Sequence, residues 1–303
     1  MSANFPDPET LRAVLTLATK APSVNNSQPW RWRIGPDSLH LYADAPADAP
    51  ADADARHQLP RTDADRRDLL LSCGSALHHC TVGLAAMGWL ATIDRLPDPA
   101  DPDHLAAIEM VRRPPSELDV MLAAAIGRRR TDRRNYNSWP VPWGDIALMG
   151  ARAARAGVML RQIDLLPRRR DLVIDPGRNN PDSPPGDDNA IMVALGTEND
   201  DDLARLRAGE ATSLVLLSAT AMGLASCLVT EPLEVDETRE AVRADTFGSS
   251  GHPQMLVRVG WAPVNADPLP ATPRRSLPEV ADWSNDGAIV VGPDLIGGVS
   301  IPG

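Results

Sequence analysis

The chain has 303 residues, 43% of them hydrophobic, enough for one large domain or two fused domains with a real core. A formal charge of −11 argues against a general nucleic-acid binder, and the low aromatic content, with alanine and leucine dominant, favours helix packing. Three cysteines, Cys73, Cys80 and Cys227, fit neither a zinc spacing nor an even disulfide framework, so reduced, buried thiols in a cytoplasmic protein are expected. Met1–Phe5 has no basic or apolar stretch of the signal-peptide kind. The longest apolar run, Leu69–Ile93, is interrupted by His78, His79 and glycines, and reads as a core helix rather than a membrane span.

In chain order, Thr10–Thr19 places Leu11, Val14, Leu15 and Ala18 on one helical face. Pro22 stops that helix, because proline disfavours helical geometry in the residue before it. Ser23, Asn25, Asn26, Ser27 and Gln28 follow, side chains suited to hydrogen-bonding a flat polar heterocycle. A helix stop leading into an Asx-type loop is the alternative. Trp30–Ile34 alternates like a half-buried strand and pairs with Ser38–Tyr42 through Gly35-Pro36-Asp37. Asp44–Arg56 is a low-complexity acidic loop to which no chemistry is assigned.

Asp65–Met87 is expected to be a long helix entering the core, Leu90–Leu96 a strand, Pro97–Asp103 a turn and His104–Val111 an amphipathic segment. Ser116 can cap a helix over Glu117–Ile126, and another helix spans Ile146–Gly157. Pro167–Asn189, rich in Pro, Gly, Asp and Asn, is expected to be a mobile loop or lid. Ala190–Leu195 is a strand, Leu203–Gly223 a second long core helix and Met255–Val259 a strand.

A shift of 135 positions lays one long helix on the other, with Gly74, Ala76, Ala86, Met87 and Gly88 falling on Gly209, Ala211, Ala221, Met222 and Gly223. A helix precedes each copy, and a strand and loop follow each. Two related halves, breaking near Arg113–Ser116 and packed about a pseudo-two-fold, are therefore expected.

Arg129-Arg130-Thr131-Asp132-Arg133-Arg134 is a basic cluster in an acidic protein. Clustered guanidinium groups repel one another unless an anion offsets them, and their forks match phosphate. A solvated helix C-terminus is the competing explanation. Arg274-Arg275 offers a second fork. The adjacent His78 and His79 point apart on a helix and cannot share a metal, so they read as interface or core histidines. Glu231 and Glu234 are a candidate carboxylate pair, although exposed carboxylates on a loop are commoner.

These segments together resemble the nitroreductase-like FMN flavoproteins, in particular the single-chain Acg-type branch, in which one chain holds both halves of what is usually a homodimer. The resemblance rests on Pro22-Ser23-Val24-Asn25-Asn26-Ser27-Gln28-Pro29-Trp30, on Arg129-Arg130-Thr131-Asp132-Arg133, on Gly223-Leu224-Ala225-Ser226-Cys227-Leu228-Val229-Thr230-Glu231 and on Pro273-Arg274-Arg275. It implies an α+β, nitroreductase-like fold with long central helices: residues 1–113 as the first half, 114–283 as the second and 284–303 as a tail of unassigned role. It further implies one FMN between the halves. Pro22, Ser23, Asn25, Asn26 and Gln28 would face the isoalloxazine. Arg129, Arg130, Thr131 and Arg133 would hold phosphate and ribityl oxygens, together with Arg274 and Arg275. Leu228, Val229, Thr230 and Glu231 would lie near N5.

The family's Pro-x-x-Gly beside the ring is here Leu228-Val229-Thr230-Glu231, and Ala151–Ile163 carries no second copy of the polar loop. One FMN per chain and a monomer that mimics a dimer are therefore expected. The resemblance implies hydride transfer from NAD(P)H through FMN to a small nitroaromatic or quinone-like molecule, with no obligatory side-chain acid or base. The alternative is a flavin-holding protein with a closed lid and little turnover. A non-flavin scaffold would leave both arginine clusters unexplained.

Overall fold

The computed structural model describes residues 5–44, 63, 65–163, 190–265 and 267–283. The acidic loop beyond Asp44, the proposed lid at 167–189 and the tail at 284–303 lie outside the described residues.

The chain opens on α1 (Pro8–Ala18), whose first turn is capped by Asp7 accepting from the Thr10 amide at 2.9 Å. Leu11, Val14, Leu15 and Ala18 are its buried face, as the spacing predicts. A short 3-10 turn (Val24–Asn26) leads into the hairpin β1 (Trp30–Ile34) and β2 (Leu39–Ala43). Next come α2 (Arg67–Ala86), β3 (Trp89–Arg95) and β4 (His104–Arg112). Residues 104–111 are thus a strand, hydrogen-bonded to β2 on one side and β3 on the other, with Ile108 and Met110 turned into the core.

The second half begins with α3 (Glu117–Arg128), where Ser116 and Asp119 form a reciprocal capping box. It continues through α4 (Trp143–Arg155), β5 (Met159–Ile163), β6 (Ile191–Thr197) and α5 (Asp202–Ala221). Then follow β7 (Ala225–Val229), α6 (Glu231–Glu234), α7 (Asp236–Thr246), β8 (His252–Gly260), α8 (Leu277–Val280) and β9 (Ala281–Trp283). Glu231 and Glu234 therefore stand on a short helix, not on a loop.

The two halves share one topology. The first sheet runs β3-β4-β2-β1 and the second β7-β8-β6-β5, antiparallel throughout. Helix α1 packs on α2 as α4 packs on α5. Between the sheets, α2 and α5 lie side by side in the same direction. Arg67 meets Asp200 at their N-terminal ends, and Val82 and Leu217 share an apolar cluster near their C-terminal ends. Helix α2 is long and apolar enough to cross a membrane, but 78% of that window is buried inside the fold, which makes it a core helix.

The sheets differ at one edge. Strand β9 adds to the first sheet, parallel to β1, with Trp32 opposite Ala281. Arg31 clamps Asp282 through two hydrogen bonds, and the Arg12 guanidinium lies 4.8 Å from the Trp283 ring centre. Residues 277–283, grouped by sequence with the second half, therefore dock on the first. A three-residue strand is too short to announce its partner in advance, and cross-half pairing is what places it.

Candidate functional site

The polar loop after α1 is fixed from two directions. Asn25, Asn26 and Gln28 all take positive φ (52°, 57° and 52°), a conformation that asparagine tolerates and glutamine resists. Three such residues in four persist only where their surroundings over-determine them. From α2, the Ser72 hydroxyl accepts the Val24 amide at 3.2 Å. Inside the loop, the Ser23 hydroxyl accepts the Gln28 amide at 3.0 Å. From the C-terminal segment, the Arg275 amide donates to Gln28 Oε1 at 2.8 Å, and Asn26 Nδ2 donates to the Pro273 carbonyl at 3.2 Å. Pro22 and Gln28 are buried, Ser23 and Asn26 half-buried, and Asn25 exposed.

Opposite this loop stands the arginine segment. It leaves α3 and runs beside β7: Thr131 forms a parallel bridge to Ser226, and the Asp132 amide donates to the Ser226 carbonyl at 3.0 Å. Tyr136 donates to the Asp132 carbonyl, and Arg134 is clamped by the Asp132 carboxylate. This lays Thr131 and Asp132 against Ser226 in β7, the strand that ends at Val229. Arg133 is exposed, and its charge reaches Cys227, as does that of Glu231.

The arginines divide into two kinds. Arg31, Arg95, Arg134 and Arg275 each meet a carboxylate, at 2.5 to 2.8 Å. Arg275 is held by Asp44, whose segment carried no assigned chemistry in the sequence. Arg129, Arg130 and Arg274 meet none among the described residues. Arg129 is only 6% exposed, and its Nε has no hydrogen-bond partner. Arg274 donates through Nη1 to Asn26 Oδ1 at 2.7 Å, while its own buried Nε is also unpartnered. Arg130 donates to the carbonyls of Gly127, Arg129 and Leu269.

Burial, with Arg274 and Arg130 close by, pushes Arg129 down to about 10. Burial and Arg130 likewise lower Arg274. Two half-buried or buried guanidinium groups with idle Nε–H donors, repelling a third, form a site short of a multiply charged anion. A phosphoryl group supplies that charge and the matching acceptors. Asn26 links this cationic pocket to the polar loop, so an anion there sits at the seam between the halves.

Behind the pocket, His78 and His79 are core residues, both hydrogen-bonded to Ser213 of α5, at 2.7 and 2.8 Å. Sequence motifs point to neither Ser72, which pins the loop from α2, nor Asp44, which neutralises Arg275. Asp68, one turn before Ser72, has its carboxyl pushed up to about 7, chiefly by burial and then by Asp63 and Glu234. Nothing in the spacing of charges along the chain marks these three.

The family model described as "Nitroreductase family" matches residues 176–261. "Putative NAD(P)H nitroreductase Rv3131" of Mycobacterium tuberculosis H37Rv is 51% identical, over 94% of this chain and 95% of that protein. "Putative NAD(P)H nitroreductase acg" of the same strain is 32% identical, over 90% and 95%. A crystal structure of a nitroreductase with bound FMN from Bacteroides fragilis covers 56% of this chain and 98% of its own, at 17% identity and a TM-score of 0.40. On the strength of two relatives that match it nearly end to end, this chain belongs to the nitroreductase family.

Proposed function

We propose that the chain is an FMN-dependent oxidoreductase that takes hydride from NAD(P)H and delivers two electrons to nitroaromatic or quinone-like acceptors. The observation that carries the reading is the group of Arg129, Arg130 and Arg274, buried or half-buried and without carboxylates among the described residues. These three residues would hold the FMN phosphate, with the Thr131 hydroxyl beside them. Pro22, Ser23, Asn25 and Asn26 would face the ring, and Leu228, Val229, Thr230 and Glu231 would border its reactive edge. Gln28 and Arg275 hold the loop itself, through their mutual hydrogen bonds. Bound FMN supplies the hydride-accepting centre; the protein supplies position, charge and exclusion of water.

The two equivalent sheets and the shared helix pair support an internal duplication that acts as a monomer in place of a homodimer. The polar loop is present in the first half only, which supports one FMN per chain. Three free, buried cysteines support a cytoplasmic location.

The test is direct. Purified protein is reconstituted with FMN, and mixed with NADPH or NADH under nitrogen in a stopped-flow instrument. Rapid bleaching, reversed by a quinone, is expected. Flavin that stays oxidised with both nucleotides while dithionite still reduces it overturns the reductase reading in favour of flavin holding. Failure to bind flavin overturns both.

A further inference from the structure

A third idle nitrogen lies within electrostatic reach of Arg129 and Arg274. His79 of α2 is completely buried, and its Nε2 has no hydrogen-bond partner. Its Nδ1 is engaged on the far side of the ring, 2.8 Å from the Ser213 hydroxyl of α5 and 3.1 Å from the Ser75 carbonyl one turn back on α2. A carbonyl only accepts, so Nδ1 carries the hydrogen, and Nε2 of the neutral ring is a bare acceptor. The charged groups that bear on this ring are Arg129, from the end of α3, and Arg274, from the C-terminal segment, with His78 beside it on α2. The charges that bear most strongly on it include no carboxylate. Burial and these cations hold the ring neutral while the pocket lacks an anion.

We propose that Nε2 of His79 is a third nitrogen ligand of the bound phosphoryl group, donating as an imidazolium alongside Arg129 and Arg274. The proposal rests on the phosphate reading of the pocket. A dianion cancels the charge of both guanidinium groups, and an oxygen of the phosphoryl group within hydrogen-bond reach rewards a proton on Nε2. The proton comes from solvent as the phosphate enters. Nδ1–H keeps its bond to Ser75, so the ring does not have to turn. One buried and one half-buried guanidinium group and an imidazolium then surround the dianion, and three unpartnered nitrogens are satisfied at once.

The test compares FMN with riboflavin, which shares the ring and ribityl chain but lacks the phosphate. Calorimetry at about pH 7.5, where a phosphomonoester is a dianion, in two buffers of different ionisation enthalpy counts the protons taken up. Wild-type protein is expected to take up about one proton with FMN and none with riboflavin. His79→Gln is expected to lose that uptake and to bind FMN about ten- to a hundredfold more weakly, with riboflavin affinity unchanged. Wild-type protein that binds FMN without proton uptake overturns the proposal. So does a variant that keeps both the uptake and the preference for FMN over riboflavin. If His79→Gln does not fold, the proton count on wild-type protein decides alone. Wild-type protein that binds riboflavin as tightly as FMN instead overturns the phosphate reading, and the assignment of His79 falls with it.

Discussion

Gly74 and Gly209 stand against each other where α2 and α5 pack, and each faces the carbonyl oxygen of the residue three before the other. A Cβ on Gly74 would lie 2.1 Å from the Leu206 oxygen, and one on Gly209 would lie 2.2 Å from the Leu71 oxygen. The two glycines are 135 positions apart, and so are the two leucines. The pseudo-two-fold therefore passes through this contact. His78 and Ser213, also 135 apart, meet further along it.

The first prediction follows from that contact. Neither carbonyl can retreat without breaking its own helix, so Gly74→Ala or Gly209→Ala must push the helices apart. Each is expected to cost about 2–3 kcal/mol, in the upper range for overpacking a filled core, read as a lower urea midpoint. A helix-propensity gain from alanine, with no loss of stability, would show that the contact is not tight.

The symmetry was legible in the sequence because both glycines answer to one steric demand and so recur at one spacing. The polar loop was legible because two asparagines, the non-glycine residues that best tolerate positive φ, stand in one run with Ser23, Ser27 and Gln28. The strand at 104–112 was not, since its polarity is that of a sheet with one open face, which an amphipathic helix shares. Strand β9 was not, since its pairing with β1 is set across the whole chain. Nor does sequence separate Arg274 from its neighbour Arg275: only the fold brings Asp44 to one and leaves the other without a carboxylate among the described residues.

That separation gives a second prediction. Arg129→Met removes a buried charge that has no counter-ion among the described residues, so the flavin-free protein is expected to gain about 1–3 kcal/mol of stability. The same change is expected to weaken FMN binding by about 1.5–3 kcal/mol, the worth of hydrogen bonds to a charged group. Unfolding without flavin and fluorescence titration with FMN report the two effects separately. Opposite signs are the signature of a binding residue; loss of stability without flavin would mark Arg129 as a structural one.

Arg95 and Glu210 support a third. Arg95 lies 135 positions before Thr230, and Glu210 lies 135 positions after Ser75, so under the proposed function the pair stands where the pseudo-two-fold would put a second flavin site. The guanidinium grips the carboxylate at 2.6 and 2.8 Å, and Glu210 is buried. Glu210→Ala leaves Arg95 without its partner and is expected to cost about 2–4 kcal/mol, near the lower end for a broken buried pair because Arg95 is partly exposed. Flavin content is expected to stay at one per chain. A second equivalent of bound FMN in the variant would show that this pair alone closes the other site.

Asp68 sets the pH dependence of the fold. Its carboxyl is buried on the first turn of α2, near Asp63, Asp65 and Glu234, with the charge of Arg67 opposing theirs. The Asp63 carboxylate accepts the amides of Asp68 and Leu69 at 2.9 and 3.0 Å, which fixes it beside Asp68. Burial thus lifts Asp68 from the ordinary carboxylate range to about 7 in the folded chain. Between the unfolded value and 7 the native state binds the extra proton. The stabilisation is therefore complete at acid pH and is lost as pH rises through 7. Asp68→Asn mimics the protonated form, and is expected to leave stability below about pH 4 unchanged while raising it near pH 8 by up to about 4 kcal/mol. Urea unfolding at the two pH values checks this, and a variant whose stability falls between them as steeply as that of the wild type would place the titrating group elsewhere.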